Sequence, residues 1–260
     1  MIDEHRRAFL DQVPEQIRSL VDAGALFFCN TSGGKDSQLM TWFLQALVPP
    51  DQLVLVKADL GEVDWAGVAD HIEQTAGVKP HIVKAKSTLF EIADRRRKWP
   101  SPKQRWCTSD LKRTPIASFI RRVMKLHGVK LAVDCIGLRA AESSARSRKV
   151  PLQLDERLSK AGRQVTTWLP IHNYPTQSVF DILAAAGLPL HHAYSHNTRL
   201  SCVLCIMASG ADIVSGAAAR PDLVAAYSER EKSYGHTLFT LKGKPIALPD
   251  YIAHHQTRGA

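Results

Sequence analysis

The sequence lacks any long hydrophobic run, any internal repeat and any low-complexity segment. No apolar stretch reaches the roughly 18 residues that a membrane-spanning helix needs, and the charged start of the chain leads into no apolar signal segment. The five cysteines are an odd number, which argues against a disulfide framework. We therefore expect a cytoplasmic globular protein that has no membrane partner.

Length and charge are more informative. The 260 residues can bury the core of one large domain, or of one domain with a small appendage. Residues 95–149 contain sixteen Lys and Arg against three Asp and Glu, and the rest of the chain has a slight excess of acids. Such a basic block predicts a polyanionic ligand, either a nucleotide or a nucleic acid. For the run Arg95, Arg96, Arg97 and Lys98, a solvated helix face is the alternative explanation.

Short apolar runs alternate with helical stretches in the first half of the chain. The runs predict four buried strands, at residues 25–29, 53–58, 81–85 and 131–136. Helices are predicted between them, at residues 37–47 and 64–76. Near-continuous apolar strands separated by helices indicate a parallel sheet covered on both faces. We expect an α/β fold with a twisted parallel sheet of about five strands flanked by helices.

The pattern loosens after residue 150. Residues 150–167 are polar and poorly periodic, which predicts a loop or a small lobe. A helix is predicted over residues 176–186, and two more over 208–233 with a break at Arg220-Pro221. We divide the chain into an α/β domain of residues 1–150 and a smaller C-terminal helical part of residues 151–260, which completes the domain and contains a C-x-x-C pair.

A glycine-containing turn lies between the first predicted strand and its helix. It reads Thr31-Ser32-Gly33-Gly34-Lys35-Asp36-Ser37. The two glycines let backbone N–H groups point at one oxyanion, and the helix N-terminus adds a partial positive charge. The spacing is not that of a Walker A loop, in which four residues separate the first glycine from Gly-Lys. The alternative is a glycine turn with incidental polar residues.

Residues 32–37 resemble the PP-loop of the ATP pyrophosphatase superfamily. The resemblance implies that this loop binds the pyrophosphate part of ATP, that Mg²⁺ assists, and that a nucleophile attacks the α-phosphate. It also implies catalytic roles for Lys35, Asp36 and Ser37, and for Lys112 further along the chain. The fold it implies is of the adenine nucleotide α-hydrolase type.

Further segments are similar to one branch of this superfamily, the proteins related to phosphoadenosine-phosphosulfate (PAPS) reductase. The similar segments are residues 58–62 with Asp59, residues 105–115 with Cys107 and Lys112, residues 137–146 with Arg139 and Glu142, Trp168-Leu169-Pro170-Ile171, and Cys202-Val203-Leu204-Cys205. They occur in order over residues 25–209. The ordered set, rather than any single segment, indicates the branch.

Three of these residues fall at the ends of predicted strands. Asp59, Arg139 and Glu142 lie at carboxyl ends of strands, where open parallel sheets bind ligands. Arg139 can hold phosphate oxygens in a fork and Lys112 can add a point charge, whereas Asp59 or Glu62 can hold Mg²⁺ through water. We expect ATP over the loop, between Asp59 and Arg139. For Glu142, a surface ion pair with the arginine four residues later is the alternative.

The C-x-x-C pair, Cys202 and Cys205, allows three kinds of site. A redox dithiol would use the pair alone. An iron–sulfur cluster is held by cysteine thiolates, and Cys107 could join from its own loop. Zinc requires four ligands, and three histidines are near in sequence, at His191, His192 and His196.

Several sulfur-inserting members of the superfamily resemble this arrangement, because one upstream cysteine and a C-x-x-C pair hold a 4Fe-4S cluster in them. The resemblance therefore implies Cys107, Cys202 and Cys205 as ligands of such a cluster. A fourth cysteine at a family-like spacing is missing. Cys29 and Cys135 lie inside predicted strands, where a cysteine is more often a small buried apolar side chain.

No cysteine follows Cys205, whereas assimilatory sulfonucleotide reductases have a catalytic cysteine in their C-terminal tail. The sequence is more similar to the ATP pyrophosphatases of DNA phosphorothioation systems. This resemblance implies that a DNA backbone oxygen is adenylated and exchanged for sulfur from a cysteine desulfurase. We expect the run from Arg95 to Lys98 to contact DNA. A homodimer is compatible with these expectations.

Two other classes of function compete with this hypothesis. One is a small-molecule enzyme of the same fold, either a relative of the sulfonucleotide reductases or a nucleotidyltransferase. The other is a non-catalytic module that senses a nucleotide or binds a partner. The intact Lys35, Asp36 and Ser37 argue against the second class.

Overall fold

The computed structural model describes residues 3–257. The strands are β1 (Leu26–Asn30), β2 (Leu53–Asp59), β3 (His81–Lys84), β4 (Leu131–Ile136), β5 (Leu152–Leu154), β6 (Gln164–Trp168), β7 (Phe239–Leu241) and β8 (Lys244–Ile246). The helices are α1 (Glu4–Asp11), α2 (Glu15–Asp22), α3 (Lys35–Leu47), α4 (Val68–Ala76), α5 (Leu89–Arg96), α6 (Trp106–Thr108), α7 (Thr114–Leu126), α8 (Ser144–Ser147), α9 (Thr176–Ala185), α10 (Gly210–Ala219), α11 (Pro221–Tyr234) and α12 (Leu248–Gln256). Within this described stretch, no helix is long and apolar enough to cross a membrane.

The chain forms two compact units, each built from several segments. Unit 1 comprises the chain up to Lys57, together with Gly67–Val83 and Ile116–His191. Unit 2 comprises Ala58–Ala66, Lys84–Pro115 and the chain from His192 onwards. The functional division of the sequence at residue 150 stays a prediction.

Unit 1 is built on a sheet whose strand order is β3-β2-β1-β4-β6-β5. β1 is parallel to both of its neighbours, β2 and β4, and β6 is parallel to β4, whereas β5 is antiparallel to β6. In this register Phe28 of β1 lies between Val54 and Asp134. The expected α/β fold class, a mostly parallel sheet flanked by helices, is confirmed.

β1 and α3 form the centre of the core of unit 1. Phe27, Phe28 and Cys29 of β1 have no exposed surface, because the sheet is covered on both faces. Phe43 of α3 stacks on Phe9 of α1, with ring centroids 4.4 Å apart. Burial raises the pKa of Cys29 to about 12, so this thiol stays neutral and packs as an apolar side chain, as the sequence predicts.

The prediction of a loop over residues 150–167 is wrong. This stretch contains β5 and most of β6, so the sheet has six strands rather than about five. β6 is buried although its sequence is polar: Thr166 is only 2% exposed and Val165 is fully buried. Threonine is β-branched and packs well on a pleated surface, which explains how a polar-looking segment enters the sheet.

An aromatic cluster forms much of the core of unit 2. Trp99 stacks on Tyr227 of α11 with ring centroids 4.7 Å apart, and Phe90 of α5 meets the same tyrosine edge-on at 5.0 Å. The break between α10 and α11 falls at Arg220-Pro221, as predicted, because proline is favoured at the first position of a helix. The hairpin of β7 and β8, and helix α12, were not predicted.

One buried carboxylate attaches the end of the chain to α11. Glu231 of α11 accepts the backbone N–H of Leu238 at 2.6 Å and that of Leu248 at 2.8 Å. Burial raises the pKa of Glu231, and the two N–H donors oppose that rise. The carboxylate therefore joins α11 to the start of the β7–β8 hairpin and to the first turn of α12.

We expect Glu231→Gln to lower the free energy of unfolding by about 1–3 kcal/mol, because one buried backbone N–H then faces the amide NH₂ group instead of an acceptor. Denaturant unfolding followed by tryptophan fluorescence measures the change. Glu229→Gln, at an exposed position of the same helix, is the control. Equal stability of the two variants would contradict the anchoring role of Glu231.

Candidate functional site

The turn after β1 is held closed by a single hydroxyl group. The backbone N–H of Thr31 first donates to Val56 of β2 at 2.9 Å. The hydroxyl of Ser37 then accepts the N–H of Ser32 at 3.0 Å and donates to the carbonyl of Gly34 at 2.9 Å. Gly33 has a φ of +74°, which favours glycine. The turn leads directly into the N-terminus of α3, where backbone N–H groups suit an anion.

Two cations converge on Asp36 beside this turn. The ammonium of Lys35 lies 2.9 Å from one carboxylate oxygen, and Nε of Arg139 lies 2.6 Å from the other. Lys35 is only 5% exposed and Arg139 only 2%. Ser37 is as buried as Lys35, so both side chains are held within the turn rather than exposed on its surface.

Arg139 uses its other donors within the protein. Its Nη1 donates to the carbonyl of Tyr174 and to the hydroxyl of Thr176, both at 3.1 Å. Its backbone N–H donates to Glu142 at 2.9 Å. Glu142 also forms the ion pair with Arg146 that the sequence offers as an alternative. Arg139 thus stabilises the loop through Asp36, and Glu142 binds the backbone of Arg139. Contact of either residue with ATP stays a prediction.

The two acids considered for Mg²⁺ belong to unit 2 and differ in their surroundings. Asp59 accepts the N–H of Gly61 at 2.8 Å and pairs with the ammonium of Lys84 at 3.0 Å. One carboxylate oxygen of Glu62 is buried and has no hydrogen-bond partner among residues 3–257. Mg²⁺ prefers oxygen ligands. Glu62 has an oxygen without a protein partner, whereas the carboxylate of Asp59 is already engaged, so Glu62 fits such an ion better.

The basic run at the end of α5 is partly engaged. Arg95 donates to the hydroxyl of Ser87, and Arg96 pairs with Asp110 at 3.1 Å. Arg97 donates to Ser233 of α11 and lies over the ring of Tyr234. The side chain of Lys98 is exposed and forms no hydrogen bond or ion pair within the described chain. Lys98 is therefore the member of the run that is best placed to contact an added ligand.

The three candidate cysteines all lie in unit 2. Cys107 is in the short helix α6, and Cys202 and Cys205 are in the loop that precedes α10. Burial raises the pKa of Cys202 to about 12, Lys112 opposes this rise, and the charges of Cys205 and Cys107 add to it. Burial is also the main cause that raises the pKa of Cys107, and the charge of Cys205 raises it further. The three thiols therefore share one electrostatic neighbourhood with Lys112, which the sequence had placed at a phosphate.

These thiols do not form a ready-made coordination group. Within residues 3–257, no set of three or more His, Cys, Asp or Glu side chains has the arrangement of a metal site. Of the histidines considered for zinc, His191 contacts His71 and His192 contacts Trp65. The donor chemistry still suits iron and sulfur, because three cysteine side chains could serve as ligands and the charge of Lys112 would offset that of the thiolates formed on binding.

Comparison with known protein families gives a match that includes the loop at residues 32–37. The model of the phosphoadenosine phosphosulfate reductase domain matches residues 27–208. No curated protein matches the sequence significantly.

Three solved structures are similar at low sequence identity. The phosphoadenylyl-sulfate (PAPS) reductase of Candida auris, in a phosphate complex, has 16% identity and a TM-score of 0.48, over 78% of this chain and 96% of that chain. The U34-tRNA thiolase of Methanococcus maripaludis, with its 4Fe-4S cluster, has 12% identity and a TM-score of 0.44, over 97% and 80%. The NH₃-dependent NAD synthetase of Campylobacter jejuni subsp. jejuni, in complex with nitrate, has 14% identity and a TM-score of 0.40, over 99% and 93%.

The family model spans well over half of the chain and includes the loop, Asp59, Arg139 and all three candidate cysteines. The chain therefore belongs to the phosphoadenosine phosphosulfate reductase domain family.

Proposed function

We propose that this chain is an ATP pyrophosphatase that activates a backbone phosphate oxygen of DNA and exchanges it for sulfur. The main support is the loop at residues 32–37, in which a strand-to-helix turn, two hydroxyl groups and a buried lysine surround the N-terminus of α3. ATP and Mg²⁺ are the proposed cofactors, and a cysteine desulfurase is the proposed sulfur donor.

The proposed reaction has two balanced steps. An oxygen of the acceptor phosphate attacks the α-phosphorus of ATP, the bond to the bridging oxygen breaks, and pyrophosphate leaves with the electron pair. Sulfur at the oxidation level of sulfide then attacks the acceptor phosphorus, and AMP leaves with the original oxygen. Phosphorus keeps its oxidation state, so the exchange itself requires no oxidant or reductant. Releasing sulfide from the persulfide of a cysteine desulfurase requires two electrons, which a dithiol reductant would supply as it is oxidised to a disulfide.

The residues of the loop suit the first step. The N–H groups at the start of α3, the hydroxyls of Ser32 and Ser37, and the ammonium of Lys35 can stabilise the charge that develops on pyrophosphate. The Ser32 and Ser37 oxygens are 3.2 Å apart, so they can hold the same phosphate group. Asp36 holds Lys35 on one side, which positions the ammonium before ATP arrives.

The cysteine site suits the sulfur chemistry. We propose that Cys107, Cys202 and Cys205 would hold a 4Fe-4S cluster, which would supply an iron-based binding site for sulfur. Support comes from the charge of Cys205, which raises the pKa values of Cys107 and Cys202, and from the charge of Lys112, which lowers both.

DNA as the acceptor is supported by charge. Lys98, Lys103, Arg105 and Arg113 are exposed basic side chains in unit 2, in addition to the partly engaged arginines from Arg95 to Arg97. Clustered positive charge attracts a phosphate backbone without regard to sequence, which is what a backbone-modifying enzyme needs.

We expect Lys35→Met to abolish pyrophosphate release while the protein stays folded, because the methionine keeps the length of the buried stem but removes the ammonium. Pyrophosphate release is measured with and without DNA, and thermal melting reports folding. Lys79→Met, at an exposed position of unit 1, is the control.

The same assay separates the competing functions. Release that requires DNA supports the proposal, release without DNA indicates a small-molecule acceptor, and the absence of release from the unmodified chain indicates a non-catalytic module. Near-normal turnover of Lys35→Met would refute the role of the loop.

We expect DNA binding to weaken steeply with salt, with a log–log slope of about −0.9 for each phosphate neutralised on duplex DNA. Combined Lys98→Glu and Lys103→Glu substitutions should flatten this slope and leave ATP affinity unchanged, because both side chains are exposed. Fluorescence anisotropy at several salt concentrations measures the slope of DNA affinity against salt. Lys160→Glu, at an exposed position in unit 1, is the control. Binding that does not respond to salt would argue against a polyanionic acceptor.

We expect protein purified without oxygen to contain iron and sulfide. Serine at Cys107, Cys202 or Cys205 should lower both contents and the visible absorbance, because each substitution removes one thiolate ligand. Cys135→Ser is the control, since Cys135 is buried in β4. ATP binding should survive all four substitutions. Iron-free protein with bound zinc, or with neither metal, would favour the other two interpretations of the C-x-x-C pair.

A further inference from the structure

The loop that contains Cys202 and Cys205 is closed at both of its ends by one buried carboxylate. Asp212 of α10 is only 3% exposed. Its Oδ1 accepts the backbone N–H of Thr198 at 2.8 Å, and its Oδ2 accepts the hydroxyl of the same threonine at 2.9 Å. Oδ2 also receives the backbone N–H of Ser209 at 3.4 Å. Thr198 precedes the two cysteines and Ser209 follows them, so Asp212 ties the ends of residues 198–209 together.

Helix capping accounts for only part of this arrangement. Ser209 is the N-cap of α10, and its hydroxyl accepts the N–H of Asp212 at 3.1 Å, which makes Ser209 and Asp212 a reciprocal capping pair. Capping does not require Thr198, which lies fourteen residues before Asp212, to give both of its donors to the same carboxylate. The additional bonds attach the far end of the cysteine loop to α10.

Other contacts hold the middle of the loop. The N–H of Val203, between the two cysteines, donates to the carbonyl of Val63 at 3.0 Å. A Cβ atom on Gly216 of α10 would lie 2.4 Å from the carbonyl oxygen of Val203, so only glycine allows this close approach. Arg199 donates to the carbonyl of Met207 at 3.3 Å and so bridges the loop a second time.

We propose that Asp212 is a positioning residue that holds Cys202 and Cys205 in place relative to Cys107. Asp212 and Gly216 lie beyond residues 27–208, so the segment that follows the family match would support the cysteine site. The inference rests on the proposed function only in treating the three thiols as one site. Closing the loop reduces the conformations open to Cys202 and Cys205, and hence the entropy lost when a ligand joins them to Cys107.

Two arsenic probes separate the position of the loop from the C-x-x-C pair itself. Arsenite can bind three thiols and release three waters, whereas phenylarsine oxide binds two thiols and releases one. In reduced protein freed of metal with a chelator, we expect Asp212→Asn to weaken arsenite binding about tenfold or more, since charge-assisted hydrogen bonds are lost. Binding of phenylarsine oxide should be unchanged, because Cys202 and Cys205 are neighbours in the chain.

Glu231→Gln is the matched control. Glu231 is also a buried carboxylate of unit 2 that accepts two backbone N–H groups, but it closes the hairpin rather than the cysteine loop. It should reduce the melting temperature and leave arsenite affinity intact. Thr198→Val, which removes one hydrogen bond to Asp212 and keeps the backbone bond, should weaken arsenite binding less than Asp212→Asn does. It serves in place of Asp212→Asn if that variant does not fold.

Equal losses of arsenite affinity in Asp212→Asn and Glu231→Gln would overturn the proposal, and so would unchanged affinity in Asp212→Asn. A wild-type chain that binds arsenite no better than Cys107→Ser does would also overturn it, because no three-thiol site would then exist. None of these measurements depends on pyrophosphate release, so the proposed enzyme activity can fail or succeed independently.

Discussion

The loop at residues 32–37 depends on the ion pair between Asp36 and Arg139. The guanidinium of Arg139 has almost no contact with water, so protein acceptors must replace its hydration. Asp36, the carbonyl of Tyr174 and the hydroxyl of Thr176 do so. Breaking a buried pair by removing one partner typically costs about 3–5 kcal/mol. The start of α3, the end of β4 and the start of α9 are therefore held in one arrangement around the loop.

This constraint changes how the charged residues of the family segments are understood. Several of them are already paired: Lys35 with Asp36, Glu142 with Arg146, and Asp59 with Lys84. Charges that are held in place before a ligand arrives need little reorganisation during the reaction. The same pairs reduce the net charge that a nucleotide would meet in the proposed site. Lys35 and Arg139 share the single carboxylate of Asp36, so these three side chains together keep one positive charge.

The sequence predicts the local features well and the distant partners poorly. β1, the turn and α3 follow from an apolar run, two glycines and a periodic helix, all within about twenty residues. β6 was missed because its threonines look polar out of context. The attachment of Arg139 to Thr176, and of Thr198 to Asp212, joins residues that no local pattern relates. Cys107 lies 95 residues before Cys202, so no local pattern relates it to the C-x-x-C pair, and its place in a shared site stays a prediction from ligand chemistry and the family resemblance.

In the basic run at residues 95–98, the net charge and the contacts of the individual side chains have different consequences for a ligand. Arg95 and Arg97 donate to serine oxygens, which are neutral, so both keep their full charge. Among these three arginines, only Arg96 faces a carboxylate, that of Asp110, which offsets part of its positive charge. Within about a Debye length, the run attracts a polyanion through its net positive charge. The contacts with serine do not change that charge. The positions of Arg95 and Arg97, however, are already set by the protein, so in the proposed complex with DNA close contacts to the phosphate backbone would come from other side chains such as Lys98.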